Sequence, residues 1–210
     1  RHLSYGGSTL SIARHNLKKF NTNMASGTEY GELAKDVAAK VHEYFPGANF
    51  YTASLTSLDA QVTKDYYQDL LDTGIGDTTN GIALHTYSHA VIPEVGLVKE
   101  VKEYINKFEE YYGYTPRMTN SELGYVTQPQ LSGALVTTDL ELAKFNTRMY
   151  IFYTANKMFD EYAWYMLADS GTNKKSMEHV FGQTEVGWMG LGGKQRLAAK
   201  ESFVAMTFMN

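Results

Sequence analysis

The stretch Thr119-Asn120-Ser121-Glu122-Leu123-Gly124-Tyr125 sets one carboxylate, Glu122, at the end of an extended run and just before a glycine. In a parallel α/β barrel, the side chains at the carboxyl ends of the strands point into the mouth of the active site. The stretch follows Gly81-Ile82-Ala83-Leu84-His85-Thr86-Tyr87 by about one strand and one helix. That spacing is typical of consecutive βα units, so Glu122 is the first candidate for a functional carboxylate.

Short apolar runs alternate with helix-like segments on both sides of this stretch, as in βα units around a parallel sheet. Capping-box patterns, Ser26 with Glu29 and Thr138 with Glu141, predict the starts of two helices. The predicted strands cover residues 49–53, 81–85, 117–122 and 162–167, with a weaker one near 17–23. The predicted helices cover residues 26–45, 63–71, 97–112, 138–159 and 194–207.

These elements predict an α/β fold of the (β/α)8 TIM-barrel type that is only partly present in this chain. A full barrel takes about 250 residues, whereas this chain has 210 and four clear strands with a weaker fifth. We expect one domain over residues 1–210, with an irregular segment at 1–16 that is too short for three βα units. Residues 169–193 are rich in Gly, Asn, Ser and Lys and are predicted to be a long loop after a strand, where barrel enzymes carry function.

Composition excludes several classes of function. The net charge of −4 without a basic run argues against nucleic acid as a partner, and no apolar stretch approaches the roughly 20 residues of a membrane span. The chain lacks cysteine, which rules out thiolate metal sites, and we expect neither a metal nor another cofactor. No signal peptide is visible and the chain begins at Arg1 rather than Met, so we expect a processed or truncated chain, or part of a longer product.

Short motifs then occur in a recognisable order between Tyr30 and Phe208. Together they resemble the C-terminal half, strands four to eight, of the clan A retaining glycoside hydrolases, nearest to the β-xylosidase and iduronidase-like families. The motifs are Tyr30-Gly31-Glu32-Leu33 after the fourth strand, His85-Thr86-Tyr87 after the sixth, Ser121-Glu122-Leu123-Gly124 after the seventh, Trp164-Tyr165 at the eighth, and Glu178-His179-Val180-Phe181-Gly182 in the following loop.

The resemblance implies a retaining mechanism, which uses two carboxyl groups about 5–5.5 Å apart. It assigns Glu122 the role of nucleophile. His85 and Tyr87 would orient that nucleophile and contact the sugar, while Trp164 would form the floor of the site. Glu178 would be a further substrate-binding residue. The 16 tyrosines of the chain could also stack on sugars, although filling of the core explains most of them equally well.

The second carboxylate is where the chain departs from the family. Counting back from Tyr30 places Asn23 at the position of the family's sugar-binding Asn, and Met24 where the acid/base Glu should follow. A thioether cannot transfer a proton, and general acid catalysis is typically worth about 10²- to 10⁴-fold. Glu29 and Glu32 lie nearby, but Glu29 is explained by the capping box and Glu32 by a solvated helix face.

Two functions follow as expectations. The first is a glycoside hydrolase-like protein that acts on or binds polysaccharide, with a retaining mechanism if it is active. The second is a catalytically degenerate glycan-binding or structural component of a larger assembly. Because an open half-barrel exposes strand edges, we expect a second polypeptide, self-association or a further portion of the product to complete it. The alternative is that the N-terminal residues form an unusual cap over a reduced sheet. We also expect an extracellular or surface-associated location.

Overall fold

The computed structural model describes residues 3–4, 25–87, 92, 94–127, 138–173, 175, 179–188 and 195–209. Strands and helices alternate along most of this part of the chain, as the sequence predicts. The strands are β1 (Leu3–Ser4), β2 (Phe50–Leu55), β3 (Gly81–His85), β4 (Arg117–Leu123), β5 (Glu161–Trp164), β6 (Thr184–Trp188) and β7 (Gln195–Ala199). The helices are α1 (Gly27–Tyr44), α2 (Gln61–Asp72), α3 (Leu97–Tyr112), α4 (Asp139–Asn156) and α5 (Glu201–Met209), with a short 3-10 turn at Ile75–Asp77.

Five strands form one sheet in the order β1-β2-β3-β4-β5, so strands that follow one another in the chain are neighbours in the sheet. β1 and β2 are parallel, with Leu3 opposite Phe50, and β2 and β3 are parallel, with Tyr51 opposite Gly81. A parallel pair needs a crossover connection, which α2 supplies between β2 and β3. β2 and β3 are buried along their whole length, as expected of parallel strands that are covered on both faces.

The chain forms two compact units, the first made of Arg1–Thr86, Val98–Ser121 and Met158–Tyr162. Its core is apolar and lies between the sheet and helices α1, α2 and α3. Packing is close enough at one point to require glycine, because a Cβ on Gly27 of α1 would lie 2.1 Å from the carbonyl oxygen of Tyr66. Fully buried core side chains include Phe50, Leu55, Tyr67, Leu70, Ile82, Leu84 and Phe108.

Helix α1 begins where the sequence places it. The Glu29 amide donates to Ser26 Oγ at 3.1 Å, and the Ser26 amide donates to Glu29 Oε2 at 2.8 Å, which confirms the predicted capping box. α3 and β3 have the predicted bounds, and β2 and α2 differ from them by one to two residues at either end. The two-residue strand β1 lies inside the segment that was expected to be irregular.

Several tyrosines of the first unit bond to backbone carbonyls. Tyr67 Oη donates to the Tyr104 carbonyl at 3.1 Å, and Tyr104 Oη donates to the Leu58 carbonyl at 2.9 Å. Tyr114 Oη donates to the Gly76 carbonyl at 2.6 Å. These hydroxyls bond to backbone carbonyls inside the first unit, so these rings serve the core rather than a ligand.

The second unit is made of Tyr87–Leu97, Glu122–Lys157 and Ala163–Asn210. Helix α4 begins at the predicted capping box of Thr138 and Glu141. β6 and β7 form an antiparallel pair in which Thr184 lies opposite Ala199. The predicted helix over 194–207 is therefore wrong in its first part, since 195–199 is the strand β7 and helix α5 follows it. Pairing with β6 overrides the good helix propensity of this segment. Among the described residues, no helix is long and apolar enough to cross a membrane.

Candidate functional site

Glu122 lies near the carboxyl end of strand β4 and is half-buried. In the second unit, Tyr87 Oη donates a hydrogen bond of 3.0 Å to Glu122 Oε2. The two residues come from the ends of two different strands, because Tyr87 lies two residues after β3 and Glu122 is the last residue but one of β4. The structure thus brings together two of the residues that the sequence nominates, and the phenol fixes the direction of one carboxylate oxygen.

The ring of Tyr87 is held by an aromatic cluster of the same unit. Tyr87 packs edge-on against Phe181 with ring centroids 6.0 Å apart, and Tyr165 packs edge-on against the same Phe181 at 5.4 Å. Val126 and Val180, both fully buried, complete this cluster. The loop motif Val180-Phe181-Gly182 therefore acts as a support for Tyr87, which is a role that the sequence did not reveal.

The glycines of two motifs are explained by close backbone approaches. A Cβ on Gly124 would lie 2.2 Å from the carbonyl oxygen of Tyr165, and the Tyr165 amide donates to the Leu123 carbonyl at 2.7 Å. A Cβ on Gly182 would lie 2.0 Å from the amide nitrogen of Asp169. No larger residue fits at either position, so each glycine is set by tertiary packing.

The second unit also contains a buried ion pair that sequence reasoning missed. Lys200 Nζ lies 3.0 Å from Asp169 Oδ1, and their side chains are 2% and 0% exposed. The Gly182 amide donates to the same oxygen of Asp169 at 2.8 Å. The pair connects the segment after β5, the Phe181-Gly182 loop and the start of α5. The sequence could not reveal this pair, because no local pattern links single charged residues that are far apart in the chain.

A second polar cluster lies in the first unit, around His85 at the end of β3. His85 Nε2 lies 3.0 Å from Ser121 Oγ, and Ser121 Oγ lies 3.3 Å from Ser54 Oγ. His85 is 6% exposed and Ser54 is 4% exposed. Next to them, the buried Asn120 donates through Nδ2 to the hydroxyl of Thr86. Sequence reasoning nominated His85 but not Ser54, for which no local pattern exists.

Trp164 ends β5 and is half-buried in the second unit. Its indole Nε1 is buried without a hydrogen-bond partner in the part of the chain that the structure describes. Asn23, Met24 and Glu178 lie outside the described residues. Of the two nearby acids, Glu29 is held in the capping box, and Glu32 bonds to Lys35 Nζ at 2.9 Å with a side chain 59% exposed.

The fold has counterparts among solved structures. It matches a family 39 glycoside hydrolase from the gut symbiont Bacteroides cellulosilyticus WH2 with a TM-score of 0.65 and 17% identity, over 96% of this chain and 44% of that one. It also matches AbfB, a family 51 α-L-arabinofuranosidase from Bifidobacterium longum, with a TM-score of 0.62 and 10% identity, over 89% and 40% of the two chains. The α-L-arabinofuranosidase from Thermotoga maritima gives a TM-score of 0.62 at 13% identity, over 96% and 38%.

This chain has the fold of the clan A glycoside hydrolases. The predicted partial barrel of parallel α/β type is thereby confirmed. The chain spans about two fifths of the length of the three structures that it matches. No family model matches the sequence, and no curated protein matches it either.

Proposed function

We propose that this chain is a glycoside hydrolase-like protein that acts on polysaccharide, with Glu122 as the nucleophile of a retaining mechanism. The observation that carries the proposal is the 3.0 Å hydrogen bond from Tyr87 Oη to Glu122 Oε2 at the end of β4. In parallel barrels the catalytic side chains come from the carboxyl ends of several strands, and this pair fits that position. The structures that share the fold are glycoside hydrolases, which supports the same class of substrate.

The proposed chemistry starts with attack by the Glu122 carboxylate on the anomeric carbon of the sugar. The bond from that carbon to the leaving oxygen breaks, the oxygen takes a proton from an acid, and a glycosyl ester of Glu122 forms. Water then hydrolyses the ester and restores the carboxylate. Tyr87 limits rotation of the carboxyl group, so that less orientational freedom is lost when the substrate arrives.

The sugar would contact further residues of the same strand ends. Trp164 is one of these, because it ends β5 and its side chain is half-buried. The indole face can also stack on the apolar face of a sugar ring. His85, Asn23 and Glu178 complete the proposed set of substrate-binding residues, as the resemblance implies.

The proposed site has no assigned acid to protonate the leaving oxygen. In the sequence, Met24 stands where the acid/base Glu is expected, and the capping box and the Lys35 contact account for Glu29 and Glu32. This observation favours a second candidate function, in which the chain binds glycan and hydrolyses it slowly or not at all. Both candidates rest on the same proposed residues and differ only in the proton donor.

A second polypeptide or a second copy of the chain is part of the proposal. In the described part of the chain, β1 and β5 each have one neighbour in the sheet, so each leaves an edge. A closed barrel has no edges. Light scattering coupled to size-exclusion chromatography tests this point, since a compact 23.6 kDa monomer would argue against a partner. An extracellular or surface-associated location is part of the same proposal.

Labelling with a 2,4-dinitrophenyl 2-deoxy-2-fluoro-β-glycoside tests the nucleophile. This leaving group departs without protonation, so the reaction proceeds even where the acid is missing. We expect a covalent adduct on Glu122 that mass spectrometry locates, no adduct in Glu122→Gln, and an unchanged adduct in the control Glu32→Gln. Labelling of a different residue, or equal labelling of Glu122→Gln, would remove the proposed mechanism.

Tyr87→Phe and Met24→Glu then separate the two functions. Loss of a hydrogen bond to a charged group costs about 1.5–3 kcal/mol, so Tyr87→Phe should slow labelling about 10- to 100-fold. Met24→Glu should raise turnover of substrates with poor leaving groups by at least about 10². Glycan binding by calorimetry without any adduct would support the second candidate, and absence of both binding and adduct would refute both.

A further inference from the structure

The loop after β5 is closed by a hydrogen bond to an imidazole ring. In the second unit, the Asn173 amide donates to Nδ1 of His179 at 2.9 Å, which joins the two ends of the segment 173–179. We call this bonded pair the loop clip. His179 is followed directly by Val180 and Phe181, which belong to the aromatic cluster around Tyr87. The clip therefore sets how the loop enters that cluster.

Both partners of the clip are held by contacts of their own. A Cβ on Gly171 would lie 2.4 Å from Cε1 and 2.7 Å from Nδ1 of His179, so the ring packs directly on the Gly171 backbone. The Lys175 amide donates to Asn173 Oδ1 at 3.0 Å, in a turn that is typical of asparagine. The ring and the amide that bonds to it are therefore fixed separately.

The donor of the clip is a backbone N–H, and this decides the proton arrangement of the ring. A backbone amide nitrogen donates and does not accept, so Nδ1 of His179 must be the acceptor. The proton of the neutral ring then lies on Nε2. A protonated imidazole carries a hydrogen on both nitrogens and has no acceptor left. The clip thus exists only with the neutral ring.

His42 in the first unit shows the opposite arrangement. Its Nε2 lies 3.1 Å from the carbonyl oxygen of Ala48. A carbonyl oxygen only accepts, so the ring donates here, and it still donates when it is protonated. Protonation therefore breaks the contact of His179 and preserves the contact of His42.

The charged groups around the loop leave this contrast in place. The described ones are the exposed Lys175 and the buried pair of Asp169 and Lys200, whose bonded atoms lie 3.0 Å apart. The charged residues of the loop outside the described part are Lys174 and Glu178. Within the described part of the chain, His179 forms no ion pair. Protonation of the ring therefore acts on the hydrogen bond from Asn173.

We propose that His179 is a pH-sensitive switch that closes the segment 173–179 when its ring is neutral and opens it when the ring is protonated. Histidine is the side chain whose charge ordinarily changes between pH 5 and 8, so the loop should respond in that range. The inference goes beyond the proposed function and does not rest on Glu122, because it follows from the contacts of Gly171, Asn173 and His179.

Nitrogen NMR of the full chain at mildly alkaline pH, where an imidazole ring is neutral, tests the closed state. We expect a single tautomer of His179 with the proton on Nε2. We also expect a scalar coupling across the hydrogen bond between the Asn173 amide nitrogen and His179 Nδ1. The other tautomer, or the absence of this coupling, would overturn the proposal without any variant being needed.

Hydrogen exchange between pH 8 and pH 5 tests the opening. The measured quantity is the protection factor of the Asn173 amide, which compares its exchange rate with that of an unstructured peptide at the same pH. It should fall about 3- to 10-fold as the pH is lowered, because a hydrogen bond is lost. The Phe45 amide, at the end of the helix that carries His42, should keep its protection factor. A constant protection factor at Asn173 would refute the switch.

Two replacements of His179 separate its charge from its shape. His179→Asn places an amide oxygen near the position of Nδ1 and does not titrate, so it should keep Asn173 protected at both pH values. His179→Gln reaches the position of Nε2 instead and should lose the protection at both. His42→Asn is the matched control and should leave the pH dependence at Asn173 unchanged.

A fall in His179→Asn as large as in the wild-type chain would show that another group titrates, and it would overturn the proposal. Failure of Glu122 to form an adduct leaves all of these measurements unaffected. The two proposals therefore fail separately.

Discussion

Replacement of Lys200 by methionine is expected to destabilise the second unit strongly, because it leaves the carboxylate of Asp169 buried without its cation. The side chains of the pair are 2% and 0% exposed, and their N–O distance is 3.0 Å. Methionine retains most of the volume of the lysine stem, so the change removes mainly the charge.

Removal of one partner from a buried pair costs about 3–5 kcal/mol. The Gly182 amide still donates to Asp169 at 2.8 Å, which offsets part of the loss, so we expect a decrease near 3 kcal/mol in the free energy of unfolding. For urea slopes of about 1–3 kcal/mol/M, the midpoint should fall by about 1–3 M.

The assay is urea unfolding followed by tryptophan fluorescence. Both tryptophans of the chain, Trp164 and Trp188, belong to the same unit as Lys200. Lys40→Met is the matched control, because Lys40 forms an exposed pair with Glu43 at 2.7 Å with side chains 65% and 57% exposed. Exposed pairs of this kind contribute about 0–1 kcal/mol.

Addition of Asp169→Asn to Lys200→Met should restore part of the loss, because the double variant buries no charge and keeps an acceptor for the Gly182 amide. A loss below about 1 kcal/mol in Lys200→Met, or a double variant less stable than the single one, would refute this account of the pair.

Three further outcomes are expected. Gly124→Ala should lower the free energy of unfolding by about 1–3 kcal/mol or more, because its Cβ would lie 2.2 Å from the Tyr165 carbonyl oxygen. Gly47→Ala is the control and should change the free energy of unfolding little, because a Cβ there would meet nothing within 4 Å. Equal effects of the two variants in urea unfolding would contradict this expectation. Ser26→Ala should cost about 1 kcal/mol by thermal unfolding through loss of the α1 cap, and no loss would count against the capping box. Burial, and to a lesser extent the nearby phenols, raises the pKa of Tyr67 well above 10.0. This tyrosine therefore ionises at lower pH in the unfolded chain, so its contribution to stability should be complete below pH 10 and fall as the pH rises above it. Urea midpoints that stay constant above pH 10 would disprove this, and Tyr67→Phe should weaken the fall.

Local patterns in the sequence determined much of the first unit and the start of the second. The bounds of β3 and α3 and the capping boxes at Ser26 and Thr138 were predicted correctly, because periodicity and caps involve residues that are close in sequence. The order of the motifs around His85, Tyr87 and Glu122 gave the fold class, since strands of a parallel barrel follow one another in the chain.

Only the tertiary structure decided the features that depend on distant partners. The stretch 195–199 became a strand because β6 pairs with it, although its composition favours a helix. The burial of Lys200 against Asp169 and the aim of Ser54 at Ser121 join residues 31 and 67 positions apart. No local pattern records such contacts, because they arise when packing fixes which side chains meet and which of them lose water.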